Sequence, residues 1–205
     1  MSAKTSDYDL LDAWSAGDRS KGDELFHRYF DSIYRFFSRK VQGDVEDLIQ
    51  KTFLACVEGR DKFRKEASFR TYLFSIARNQ LYRYWRNRKH DNALDFTASS
   101  LHDLGPTPSA QAARHQEQRL LLEALLRIPL DLQIAIELHY WEGMSGPELA
   151  EVLDIPEGTV RSRLRRAKEA LEAQLSELAT NQDQLRSTLD NFDRWARSLR
   201  DHLQS

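Results

Sequence analysis

Residues 145–168, SGPELAEVLDIPEGTVRSRLRRAK, read as two short helices around a tight turn. Ser145 precedes Glu148 by three residues. At that spacing the serine hydroxyl accepts from the glutamate N–H and the carboxylate reaches back to the cap. Pro147 falls in the first turn, where its missing N–H costs little. Leu149, Ala150 and Leu153 form one apolar stripe, and Asp154 to Gly158, with Pro156 inside it, supplies the break. Val160, Leu164, Ala167 and Leu171 recur at i, i+4, i+7 and i+11, so they share the buried face of the second helix. Thr159, Arg161, Ser162, Arg165 and Arg166 then turn outward near its start. Residues 161–168 hold five Lys/Arg and no acid. Arginine can pair bidentately with guanine, and Ser or Thr can reach bases or phosphate, so such a helix start suits the major groove. A solvated basic helix is the plainer reading. The paired helix and its turn favour DNA.

Working outward, the 205 residues allow one large or two small domains. The net charge of −2 implies nothing about a polyanionic partner, but its distribution does. Residues 78–90, RNQLYRYWRNRKH, again carry five Lys/Arg and no acid, while both ends of the chain lean acidic. Two basic helices on an otherwise acidic chain suggest two contacts with one nucleic acid. The single cysteine, Cys56, lies in an apolar stretch and excludes a disulfide framework. No signal peptide and no run of about eighteen apolar residues is present, so the expectation is a cytoplasmic chain with no membrane span.

Few Pro and Gly residues and no period-2 apolar alternation predict an all-α protein. A first unit is expected over 8–90. Its helices would bury Leu25, Phe26, Tyr29, Phe30, Ile33 and Phe37, then Val45, Leu48, Ile49, Thr52, Phe53 and Cys56. Asp47, Gln50, Lys51, Leu54 and Glu58 fall on the other side of the second helix. A third helix places Phe69, Tyr72, Leu73, Ile76 and Gln80 on one stripe. Residues 91–113, rich in Ala, Ser, Asp, Pro and Gly, read as a flexible linker. A second helical unit is expected over 114–175, with Leu121, Leu122, Leu125 and Leu126 leading to Ile128-Pro129 and a new helix carrying Ile134, Leu138 and Trp141. Beyond it, 176–205 form an amphipathic helical extension. Leu171, Leu178, Leu185, Phe192 and Leu199 recur every seven residues, and Leu175, Gln182, Leu189, Ala196 and Leu203 fill the complementary seam. Periodicity leaves open whether that seam packs on its own domain, self-associates or binds a partner that regulates the protein.

In 78–90, Tyr82, Tyr84 and Trp85 interleave with Arg78, Arg83, Arg86, Arg88 and Lys89. Cations follow phosphates, and exposed rings can stack on unpaired bases, each stack being worth about 1–3 kcal/mol. Tyr84 shares a face with Ile76 and Gln80. At least one of Tyr84 and Trp85 is therefore expected in the core.

The whole layout resembles a group-four, extracytoplasmic-function (ECF) sigma factor of bacterial RNA polymerase, in the sigma-70 family. The matching stretches are DVEDLIQKTFLACVE (44–58), FRTYLFSIARNQLYRYWR (69–86) and ELAEVLDIPEGTVRSRLRRAKEAL (148–171). The resemblance covers about 20–175 and rests on the order and separation of these motifs. It implies two small helical domains, sigma-2-like and sigma-4-like, and a transcription initiation factor that brings core polymerase to promoters and helps melt the −10 region. Asp47, Gln50, Lys51 and Leu54 would meet the β′ clamp of the core enzyme. Arg78, Asn79, Tyr82, Arg83 and Arg86 would face the −10 element as it melts. Thr159, Arg161, Ser162, Arg165, Arg166 and Lys168 would read the −35 element, with the β flap as a further polymerase contact. The resemblance also implies an anti-sigma protein as a possible partner. Lys51 stands where an acidic residue is frequent in the family, Arg83 where one often follows the IARN motif, and Gly146-Pro147 in place of an aromatic-acidic pair.

Three other classes are weighed against this. A conventional helix-turn-helix regulator acting alone on duplex DNA has the same recognition helix but no need of the basic 78–90 or acidic 44–58 helices. A scaffold would use the C-terminal heptads and leave the basic helices incidental. An enzyme is the weakest: six scattered histidines and one cysteine give no metal-ligand spacing, and neither a phosphate-cradling glycine loop nor a nucleophile elbow is present. No catalytic residue, cofactor or metal is expected.

Overall fold

The computed structural model describes residues 5–60, 63, 67–91 and 110–178, and these contain helices and turns but no strand. They fall into two compact units, the first N-terminal but also including Glu151–Leu153, the second made of the other C-terminal residues.

The first unit is built from α1 (Asp7–Ser15), α2 (Arg19–Ser38), α3 (Val45–Gly59) and α4 (Phe69–Asp91). Ser6 opens α1 with a capping box: its hydroxyl accepts from Asp9 N–H at 3.2 Å, and the Asp9 carboxylate accepts from Ser6 N–H at 3.3 Å. Leu10, Leu11 and Trp14 then turn inward. Gly17, at φ +107°, makes the break that lets α2 fold back on α1, and Asp18 caps α2 by accepting from Ser20 N–H at 3.0 Å. The two helices approach so closely that a Cβ on Gly22 would stand 2.7 Å from the Trp14 indole nitrogen. Across the same seam, Asp7 pairs with Arg28 and accepts from the Tyr29 hydroxyl. Burial, reinforced by that hydrogen bond, holds the Tyr29 phenol well above its ordinary pKa.

The core of this unit is aromatic and aliphatic: Leu25, Ile33, Phe36 and Phe37 from α2, Leu48, Ile49 and Cys56 from α3, and Phe69, Leu73, Phe74, Ala77 and Leu81 from α4. Phe36 meets Phe74 edge-on at 5.7 Å. Thr52 is buried among them because its hydroxyl donates to the Leu48 carbonyl at 2.7 Å. Burial pushes the Cys56 thiol up to about 12, so it stays neutral and unreactive as a small core residue.

Two sequence expectations change here. Phe30 is 44% exposed, not a core residue: it sits at the margin of the α2–α3 seam, stacked parallel to Phe53 with centroids 6.5 Å apart. The buried stripe of α4 runs through Phe69, Leu73, Ala77 and Leu81, with Tyr72, Ile76 and Gln80 half-buried beside it. Phe69 and Leu73 are shared by the expected and the observed stripe, and the helix then buries Ala77 and Leu81 in place of Ile76 and Gln80.

The C-terminal half of the chain contains α5 (Ala110–Arg127), α6 (Leu130–Ile136), a π-helical turn (Glu137–Trp141), α7 (Gly146–Leu153) and α8 (Glu157–Leu178), all in the second unit except Glu151–Leu153 at the end of α7. Helix α5 starts at Ala110, inside the stretch read as linker. Pro129 ends α5 and begins α6, and the buried Gln133 side chain satisfies the Ile128 carbonyl at 2.8 Å. The chain then widens by one residue per turn, Glu142 N–H reaching the Glu137 carbonyl at 3.2 Å. Helices α5, α6 and α8 enclose one core of Leu121, Ala124, Leu125, Ile128, Leu132, Ile136, Trp141, Ala167, Leu171 and Leu175.

Leu171 and Leu175 open the heptad seam noted in the sequence, and Leu178 packs against the same core. The first heptad is therefore spent within its own domain. Its continuation over 179–205, with the extension expected there, lies outside the described residues, as does most of the linker.

Leu171→Ala is expected to destabilise the second unit by about 2–5 kcal/mol, as a buried leucine leaving a cavity does. A lowered denaturant midpoint followed by circular dichroism would show it.

Candidate nucleic-acid interface

Three outward faces carry the residues singled out in the sequence. The first is the start of α8. The capping box at Ser145 forms mainly through its return arm: Glu148 accepts from Ser145 N–H and hydroxyl, both at 2.8 Å, while Glu148 N–H stands 3.5 Å from the serine oxygen. Asp154, at φ +53°, takes the left-handed position that ends α7, and Ile155 N–H closes back on the Ala150 carbonyl at 3.1 Å. Glu157 then restarts the chain as α8.

Val160, Ala167 and Leu171 are buried and Leu164 half-buried, which turns Thr159, Arg161, Ser162, Arg165 and Arg166 into solvent. Arg161 and Arg165 lie one turn apart, as do Ser162 and Arg166, giving two adjacent rows of donors. The Ser162 hydroxyl donates to the Thr159 carbonyl at 2.8 Å, and Arg165 makes an exposed pair with Glu169 at 2.9 Å. Lys168 is half-buried. Arg163 differs from its neighbours: it is turned toward α6, 3.9 Å from Asp131. The basic run of α8 is thus split between the outward face and a half-buried flank beside α6.

The second face is on α4. Asn79, Arg83 and Arg86 are exposed and follow one another at helical spacing. Arg78 is half-buried, its guanidinium 5.2 Å from the centre of the half-buried Tyr82 ring. Tyr84 and Trp85 are both half-buried, meeting edge-on at 5.2 Å, so neither is a full core residue as expected for at least one of them. Arg88 is engaged by the Tyr84 hydroxyl and by Asp44.

The third face is on α3. Asp47, Gln50, Lys51 and Leu54 are all exposed, Leu54 by 55%. Lys51 pairs with Asp47 at 2.6 Å, one turn back. Beside them runs a largely apolar groove of about 570 Å³ between α2 and α3, lined by Phe30, Tyr34, Glu46, Ile49, Gln50, Phe53, Leu54 and Val57. Phe30, Tyr34 and Val57 were not anticipated as site residues. The signal was available: Phe26, Phe30 and Tyr34 recur at i, i+4 and i+8 on a second apolar row beside Leu25, Tyr29, Ile33 and Phe37. One buried face could not hold both rows.

The likeness of the chain to known proteins agrees with this geometry. The Sigma-70 region 2 family matches residues 25–90, spanning α3 and most of α4, and the Sigma-70, region 4 family matches 118–171, spanning α6 to the first two-thirds of α8. The ECF RNA polymerase sigma-E factor of Haemophilus influenzae is 30% identical over 189 residues, covering 87% of this chain and 100% of its own. That of Escherichia coli strain K12 is 31% identical over 188 residues, covering 87% and 98%. Among solved structures, CnrH in complex with the cytosolic domain of CnrY aligns at TM-score 0.61 and 25% identity, over 84% of this chain and 99% of that one. The sigma factor RpoE of Bartonella quintana, solved with the anti-sigma factor NepR, aligns at TM-score 0.60 and 24% identity over 75% and 96%, a likeness of fold.

Helix-turn-helix and region-two units joined in this order define a sigma-70-type initiation factor. Within that class, the chain belongs to the ECF sigma factors of bacterial RNA polymerase. It is a non-enzymatic subunit that directs promoter-specific initiation, and a regulator acting alone on duplex DNA is not favoured. Among the described residues no helix is long and apolar enough to cross a membrane.

Ser145→Ala removes the hydroxyl of the α7 capping box and is expected to cost about 1 kcal/mol. A small fall in melting temperature would register it; an unchanged melt would leave the box without energetic weight.

Proposed function

We propose that the three outward faces divide the work of promoter recognition. The start of α8, through Thr159, Arg161, Ser162, Arg165, Arg166 and Lys168, reads the −35 element in the major groove. The α4 face, through Arg78, Asn79, Tyr82, Arg83 and Arg86, meets the −10 element and favours its unpaired form. Asp47, Gln50, Lys51 and Leu54, with the apolar groove beside them, dock on the β′ clamp of core polymerase, and the second unit meets the β flap. The chain works in the cytoplasm, where polymerase and chromosome are. The partner-bound state of the solved relatives supports an anti-sigma protein as a further partner.

The observation that carries this reading is the exposed double row on α8, held outward by a buried stripe on the same helix. Its mechanism is binding energy directed at a DNA conformation. Arginines on phosphates give affinity that falls with salt, and contacts to base edges set sequence. The Arg78 guanidinium lies over the Tyr82 ring while one of its nitrogens donates to the Val152 carbonyl at 2.8 Å, so Arg83 and Arg86 supply the exposed charge of this face.

Run-off transcription with core polymerase on a promoter library tests the whole reading. Chain-dependent starts that share two spaced elements are expected; no starts, with duplex binding retained by the chain alone, would overturn it. Arg161→Ala with Arg165→Ala is expected to relax selection of the upstream element, each lost base contact being worth about 1–3 kcal/mol. Promoter choice identical to the parent in the same library would remove α8 from the assignment.

For the polymerase face, Leu54→Asp is expected to weaken assembly with core at least tenfold without loss of helicity, since the side chain is already in solvent. A titration of labelled chain with core that gives the parental affinity would show that the face docks elsewhere.

A further inference from the structure

We propose that Arg88 is a positioning residue, held out of the DNA-contacting set by Asp44 and Tyr84, and that this clasp fixes the end of α4 against the start of α3. The inference rests on the assignment of the outward α4 face to DNA. In the sequence Arg88 belongs to the same run of cations as Arg83 and Arg86. The structure separates them. One guanidinium nitrogen of Arg88 lies 3.1 Å from the Asp44 carboxylate, the other donates to the Tyr84 hydroxyl, and the guanidinium carbon stands 4.6 Å from the centre of the Tyr84 ring.

Asp44 is placed unusually for this role. It occupies the N-cap position of α3, where aspartate ordinarily accepts from the backbone N–H groups of its own helix. Its side chain makes no such bond and reaches α4 instead. Tyr84 contributes a neutral hydroxyl: burial, with Asp44 acting in the same direction, raises its pKa despite the nearby Arg88. A planar fork of donors is thus met by a carboxylate on one side and by a phenol and its ring on the other.

Two consequences follow from the charges. The Arg88–Asp44 pair is neutral as a unit, so a phosphate nearing it gains no net charge from Arg88 unless it displaces Asp44. Arg83 and Arg86, five and two residues earlier and both exposed, present the charge it would meet. An ion pair with both side chains more than 40% exposed adds little to folding stability, so its effect is sought in geometry. That geometry joins the start of the helix assigned to polymerase to the end of the helix assigned to DNA.

The test compares holoenzymes carrying Arg88→Ala, Asp44→Asn, Arg86→Ala and the charge swap Asp44→Arg with Arg88→Asp. Each is titrated with a fluorescent fork-junction DNA, cut from a promoter selected by run-off, across a range of salt. Promoter opening is read as permanganate reactivity of unpaired thymines, and thermal melting checks that every chain is folded. Arg86→Ala is expected to lower the slope of log affinity against log salt by about 0.7–0.9, one phosphate contact. Arg88→Ala is expected to keep the parental slope while slowing opening several-fold, Asp44→Asn to slow it likewise, and the swap to regain most of the rate. A slope in Arg88→Ala that falls as far as in Arg86→Ala overturns the proposal, because Arg88 then touches phosphate. Opening at the parental rate in the single variants, or a swap as slow as they are, overturns it equally. Slopes unchanged in both Arg86→Ala and Arg88→Ala, with promoter-specific starts retained, would instead withdraw the α4 face from DNA.

Discussion

The burial of one stripe of α8 against α5 and α6 is the constraint on which the second unit depends. Val160, Ala167, Leu171 and Leu175 are all removed from solvent, and a helix with one face so committed has no freedom to rotate. The outward direction of Arg161, Ser162, Arg165 and Arg166 follows from that commitment and from nothing local to them. Arg163 marks the boundary: one step round the helix from the outward rows, it is turned to Asp131. Small side chains at the contact, Ala124 on α5 and Ala167 on α8, let the helices come close enough to make the seating firm.

The first unit meets a related problem with different chemistry. Its helices carry more apolar rows than one core can hold, so α2 divides its aromatics between an interior, Phe36 and Phe37, and a groove margin, Phe30 and Tyr34. Helix α4 is buried along Phe69, Leu73, Ala77 and Leu81 and exposes the polar row Asn79, Arg83 and Arg86. The rings between those faces, Tyr82, Tyr84 and Trp85, are neither core nor free surface. The two tyrosines are packed under arginines, Arg78 over Tyr82 and Arg88 over Tyr84, and Trp85 meets Tyr84 edge-on.

Legibility in the sequence varied with how narrow each apolar stripe was. Helix α8 was readable because its buried positions keep strict helical spacing and its cations fill the remainder. Helix α2 was not fully readable, because apolar residues at 25, 26, 29, 30, 33, 36 and 37 cover so much of the circumference that spacing fits two orientations. Helix α1 spans only nine residues, too few for apolar spacing to establish a period, although Ser6 and Asp9 give it a legible capping box. The π-helical turn at Glu137–Trp141 left no trace in the sequence, since one extra residue in a turn is a response to what surrounds it. The split of the basic runs, with Arg88 and Arg163 drawn to acids on other helices, needed the tertiary structure, because charge alone does not reveal a distant counter-charge.

The continuity of α8 also bears on how this chain can change in length. Leu171 and Leu175 anchor the helix downstream of its outward rows, and nothing interrupts the helix between Glu157 and Leu178. Each residue advances a helix by about 100°, so a single codon lost or gained between Arg166 and Leu171 would swing the upstream rows through about a quarter turn relative to the anchor. Substitution can change the outward rows of this helix one side chain at a time. Insertion and deletion cannot, except in steps near a whole turn, so drift in the length of the chain is steered toward the segments outside it.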